Sequence, residues 1–148
     1  MTDPLSQTAL LCAVHATLRD DLHVRAALGS PARLHDGVPT DPVHPYLRYG
    51  RIRTEDRSGD DAPRAVHTLT LHLHSRYGGR AEVMGVLATV LAALSRDALR
   101  AHMPGAVSVV SRYADSFTAR DGHSRHSLLR LAVTVEPAME PARMESVQ

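Results

Sequence analysis

Residues 66–77 read Val66-His67-Thr68-Leu69-Thr70-Leu71-His72-Leu73-His74-Ser75-Arg76-Tyr77, and the stretch that follows, to Arg100, changes rhythm completely. Leu69, Leu71 and Leu73 alternate with Thr68, Thr70, His72 and His74, the period-2 pattern of a strand with two unlike faces. Gly78-Gly79 breaks that strand. From Arg80 the apolar residues Val83, Leu87, Val90 and Leu94 fall at helical spacing, on one stripe. A helix running on to about Arg100 can therefore lie back across the leucine face, giving a helix-on-sheet unit. The rest of the chain must complete that sheet or cover that helix.

Toward the N-terminus, Asp3-Pro4 predicts a helix start, with Leu11, Val14 and Leu18 as the inner stripe of a helix over 4–19. Asp20-Asp21 predicts a cap for a second short helix, Leu22 to Leu28, stopped by Gly29, Ser30 and Pro31. A short strand over 32–36 leads into a connector held extended by Pro39, Pro42 and Pro45. Tyr46 to Arg53 reads as a strand, and residues 54–65, charged and without a large apolar side chain, as a mobile loop. Beyond Met103-Pro104-Gly105, residues 106–119 and 123–136 form a long hairpin turning at Asp121-Gly122. Leu129, Leu131, Val133 and Val135 make its apolar face, Val107 and Val109 join from the partner strand, and the tip, about 116–126, is polar. The expected architecture is α+β: a four- to five-stranded, mostly antiparallel sheet with the N-terminal and long helices packed on one face. One domain spans 1–136, and a flexible tail spans 137–148.

Composition narrows the function. The chain has 148 residues and a formal net charge of +1, so no global field favours nucleic acid or an acidic membrane. No apolar run reaches membrane-span length, and no signal segment opens the chain, which implies a soluble protein. Four Tyr, one Phe and no Trp make an aromatic ligand pocket or a base-stacking platform unfavourable. The basic residues are all arginine, as GC-rich coding would produce. The one cysteine, Cys12, excludes an internal disulfide and reads as a small buried hydrophobe of a reducing compartment.

Searching for chemistry yields little. No P-loop, Cys-x-x-Cys, His-Glu-x-x-His or nucleophile elbow is present. Cys12 with His15, three residues on, is a thiol–base pairing only if Cys12 is exposed. His72 and His74 point the same way and could share a metal with a third ligand, or line a surface or an interface. The face carrying Thr68, Thr70, His72 and His74 is too polar for a dry core. It either meets water or packs against another copy.

Three segments carry a family resemblance: His35-Asp36-Gly37-Val38-Pro39 with Pro45-Tyr46; the strand from His67 to Tyr77 leading into the long helix; and Arg120-Asp121-Gly122-His123-Ser124-Arg125-His126 before the last strand. In this order and spacing, over about residues 5–136, the chain resembles the tail terminator (tail-completion) proteins of tailed phages and gene transfer agents. That family was long known only as a domain of unknown function. An aromatic usually stands where this chain has His35.

The resemblance implies a virion structural protein without a cofactor: a homohexameric ring at the head-proximal end of a phage-like tail. The ring would cap the tail tube, end its polymerisation and join a head-closure (stopper) protein, with DNA passing through the lumen unbound and no membrane involved. Assembly would take place in the bacterial cytoplasm. On this basis Thr68, Thr70, His72, His74, Tyr49, Arg112 and Tyr113 are expected at subunit contacts. Arg53, Glu55, Asp56, Arg57, Arg120, Asp121, His123 and Arg125 are expected to meet tube or stopper. Another head–tail connector or minor tail protein, and a small metal- or thiol-dependent enzyme, are the competing readings.

Overall fold

The computed structural model describes residues 3–76 and 79–138. The elements follow in the order α1 (Gln7–Asp20), α2 (Leu22–Leu28), β1 (Leu34–His35), β2 (Tyr46–Asp56), β3 (Ala65–Ser75), α3 (Gly79–Ala93), α4 (Arg96–Arg100), β4 (Ala106–Thr118) and β5 (Arg125–Val135). The strands form one sheet in the order β1-β2-β3-β5-β4, antiparallel throughout except for the β1–β2 pair. This is the expected α+β architecture, with the C-terminal strands as a long hairpin. Gly78 and the tail from residue 139 lie outside the described residues.

Local chemistry places the helix ends. Asp3-Pro4 does not start α1: the Asp3 carboxylate accepts from the Leu5 amide at 2.9 Å, forming a turn ahead of the helix. The cap is Ser6, whose hydroxyl accepts from the Ala9 amide at 3.1 Å. Along α1 the buried stripe is Leu10, Ala13, Val14, Thr17 and Leu18, so Leu10, not Leu11, joins Val14 and Leu18 in the core. Asp21 caps α2 as expected, accepting from the Val24 amide. The long helix stops at Ala93, short of the expected Arg100. Ser95 caps a separate α4 by accepting from the Ala98 amide, because a serine side chain offers the backbone a partner that ends one helix and starts another. Within α3, Val83, Val86 and Val90 are buried, whereas Leu87 is only partly covered.

The core lies between the helices and one sheet face. Leu47 and Tyr49 of β2, Leu69, Leu71 and Leu73 of β3, and Leu129, Leu131, Val133 and Val135 of β5 all point into it. His67 shares that face and is fully buried. Its Nε2 donates to the Pro4 carbonyl at 2.8 Å, so its Nδ1 accepts from the Thr54 hydroxyl at 2.7 Å. Burial keeps this imidazole's pKa below its ordinary value, the Pro4 bond opposing in part. One neutral ring thereby fastens the N-terminal segment to the central strand.

The 54–65 loop is shorter and better tied than expected. β2 continues to Asp56 and β3 begins at Ala65, and the Arg57 amide donates to the Arg64 carbonyl, the Gly59 amide to that of Ala62. Backbone pairing extends the strands regardless of their polar side chains, since only one face has to be buried.

Three register slips, one in β2 and two in β4, set which residues share a face. In β2 the register slips between Tyr49 and Ile52, opposite Leu71 and Leu69. The extra residue keeps Tyr49 and Ile52 on the core face, and Arg48 and Arg53 together on the other. In β4 the register slips again between Ser111 and Tyr113, which puts Val110 and Tyr113 on the same side. A third slip, between Ala106 and Ser108, takes Val107 out of the expected stripe and leaves Val109 against the core.

Candidate functional site

The sheet face turned away from the helices is the candidate site. β3 supplies Thr68, Thr70, His72 and His74 to it, all less exposed than an open sheet face would suggest; Thr70 is only 7% exposed. Antiparallel pairing sets His74 between Tyr46 of β2 and His126 of β5, with Phe117 of β4 beyond. The rings form a row across the sheet. Tyr46 stacks on His74 with centroids 4.7 Å apart, His74 lies 4.3 Å from His126, and Phe117 lies 4.8 Å from His126. His35 and His44 close the row against Tyr46. His72 joins from the side, its Nδ1 2.9 Å from His126 Nε2, so one of these nitrogens donates to the other.

This packing keeps the imidazoles of His72, His74 and His126 uncharged at neutral pH. Burial, with His126 and Arg48 nearby, lowers His74 to about 3, and burial with Arg48 and His126 lowers His72 to about 4. His126 is lowered too, chiefly by burial. The Nε2 atom of His74 is buried without a hydrogen-bond partner. Among the described residues no group of three ligating side chains has metal-binding geometry, and the rings pack against one another.

Positive charge on this face comes from arginine. Arg51, Arg53 and Arg130 line a concavity of about 400 Å³ with Thr68, Thr70, His72 and Leu128. Arg130 also lies over the Tyr113 ring, 5.1 Å from its centroid. Toward the β4 edge the surface turns apolar: Val110, Tyr113 and Phe117 are 42–47% exposed. Beyond Val109 every residue of β4 is exposed, so this edge of the sheet projects past the helix layer as a strand that, among the described residues, pairs only with β5.

The other expected site residues fall elsewhere. Tyr49 is a correction: the bulge keeps it on the helix side, 6% exposed, its hydroxyl 3.0 Å from His15 Nδ1. Burial raises its pKa well above that of a free phenol. Arg112 sits in the β4 bulge, exposed beside Tyr113. Around the β2–β3 loop, Arg57 pairs with Glu55 at 2.8 Å, Arg53 lies 3.9 Å from Glu55, and Asp56 accepts from the Ser58 amide and hydroxyl. At the hairpin tip Asp121 accepts from the Ser124 hydroxyl and from the Ser124 and His123 amides, which hold its carboxyl well below the usual range. Asp121 therefore builds the turn, while Arg120 and His123 stay exposed. Arg125 reaches back to the Thr118 hydroxyl.

Cys12, expected to be buried, is exposed. It shares a shallow depression with His15, but the His15 ring is engaged by Tyr49 and no hydrogen bond joins it to the thiol. Sequence reasoning missed Tyr46, His126 and Phe117 as members of the ring row. Alternation with Leu129 and Leu131 already put His126 on the free face; its pairing with His74 needed the register.

Comparison with known proteins fits this geometry. The family model described as "Tail completion protein gp17" matches residues 12–136. No sequence relative is found among curated proteins. Among solved structures, a chain of the "Virion of native gene transfer agent (GTA) particle" superposes with a TM-score of 0.73 at 23% identity. The match covers 87% of this chain and 96% of that one, and it supports the fold. With most of its length, including the central strand and the terminal hairpin, inside the family match, this chain belongs to the tail completion protein gp17 family.

Proposed function

We propose that the chain is a structural component of a phage-like tail that assembles as a closed homohexameric ring at the head-proximal end, ends tube polymerisation and meets the head-closure protein. The observation that carries this reading is the uneven sheet. One face is sealed by helices, while the other ends in an exposed apolar margin at Val110, Tyr113 and Phe117 on the edge strand. Family membership gives that margin a use, since tail completion requires subunits that hold to one another and to two unlike partners. A ring needs a heterologous contact, two different patches on one subunit that meet and close after a fixed rotation. The polar tip of the β4–β5 hairpin and the charged β2–β3 loop extend from the sheet and suit contact with tube and stopper. A net charge of +1 suits a lumen through which DNA slides without being held.

Imaging of assembled particles tests this reading. The expected result is a ring of this chain between tail tube and head connector. A single copy per tail, or copies along the tube's length, would refute it.

A further inference from the structure

We infer that the ring's seam joins the β4 edge of one copy to the proline-rich connector of the next, so that Val38 and Val43 pack on Val110, Tyr113 and Phe117. This deepens the ring reading and rests on it. Val38 and Val43 are 79% and 64% exposed, among the most exposed large apolar side chains described, yet they stand on a connector that is anything but loose. Pro39, Pro42 and Pro45 restrict it, Gly37 and Asp41 adopt left-handed backbone with φ of 118° and 53°, and the Arg33 guanidinium donates to the Pro45 carbonyl at 2.8 Å. Aspartate tolerates that region better than most non-glycine residues, so together with the prolines it fixes the turn of the connector at little cost. Such a loop also loses little entropy when it docks.

Position and charge make the two patches partners. The connector links β1 to β2 at one edge of the sheet, and β4 is the opposite edge. A contact between two unlike patches on opposite edges is not closed by a two-fold axis; it joins copies head to tail, as a ring requires. Between residues 36 and 43 the connector carries Asp36 and Asp41 and no basic residue. The β4 margin carries Arg112, with Arg125 and Arg130 alongside on β5, against Asp115 alone. An acidic, apolar loop thus faces a basic, apolar strand on the next copy.

The test is cross-linking of the full-length chain in a Cys12→Ser background. Val38→Cys and Phe117→Cys are introduced together and singly, at exposed positions, and the concentrated protein is treated with a short bis-maleimide. The expected result is a covalent ladder above the dimer for the double variant, product no larger than dimer for either single variant, and hetero-dimer from mixed single variants. Adding Asp36→Arg to the double variant lowers the yield, and adding Arg112→Asp as well restores it. A ring seen by native mass spectrometry without the ladder overturns this seam and leaves the ring standing. A chain that stays monomeric at millimolar concentration overturns the seam, and a single copy in imaged tails overturns the ring as well.

Discussion

The two faces of one sheet follow different rules. On the helix side, Leu69, Leu71, Leu129 and Leu131 are essentially inaccessible, and burial of apolar area holds them in place. On the free side, neutral imidazoles, arginines and exposed aromatics cover the same strands with partial burial and few committed polar bonds. The first face stabilises the fold; the second is the one that the proposed ring would use. A change on the first should unfold the protein, whereas truncating an exposed side chain on the second should spare the fold and, if the ring forms as proposed, cost assembly.

Four expectations can break that contrast. The largest effect belongs to Leu129→Ala, which empties a fully buried site and should destabilise by about 2–5 kcal/mol in denaturant unfolding. A cost below about 1 kcal/mol would mean that the helix layer packs loosely there. Next is Gly50→Ala, at the β2 bulge. An added methyl carbon would stand 2.7 Å from His72 Nε2 and 3.0 Å from the Thr70 carbonyl oxygen, and overpacking of this kind costs about 1–3 kcal/mol. That variant should also disturb the ring row on the free face, visible as shifted His72 and His126 imidazole resonances.

The third expectation concerns pH. His72 and His74 titrate at about 4 and about 3 when folded, below the ordinary histidine value, so the unfolded chain takes up protons first as pH falls. Their contribution is complete above the ordinary value and is lost progressively down to about 3. Tm should therefore fall between about pH 6.5 and about pH 4, and less steeply in His74→Leu. A Tm unchanged across that window would show the rings to be open to water. The smallest effect on the fold is expected for Tyr113→Ala, which should change subunit stability by about 0.5 kcal/mol or less while abolishing ring formation in native mass spectrometry. Unfolding comparable to Leu129→Ala would erase the distinction between the faces.

Much of the fold was legible in residue order. The alternation in β3, the Asp21 cap, the Asp121-Gly122 turn and the leucine face of β5 are local patterns, and each stands where it was expected. The misses share a cause. Ser6 and Ser95 displaced the expected helix ends because competing caps lie within a few residues of one another. Tyr49 faces the core because the bulge at Gly50, an isolated glycine inside a strand, shifts the alternation of β2. Cys12 is exposed because α1 packs on the core through Leu10 and not Leu11, a choice made by its contacts with the rest of the fold.

From the sequence by itself came the periods: where the chain must extend, where it must coil, and that β3 has one leucine face and one of threonine and histidine. Family membership was also readable there, in the order of three short segments. Tertiary structure alone decided which strands lie side by side, how two bulges bring Arg48 with Arg53 and Val110 with Tyr113, and that His74 meets Tyr46 and His126. The physical reason is that period is a property of one segment's own backbone geometry. Register is chosen between segments distant in the chain, by the packing of the whole sheet against its helices.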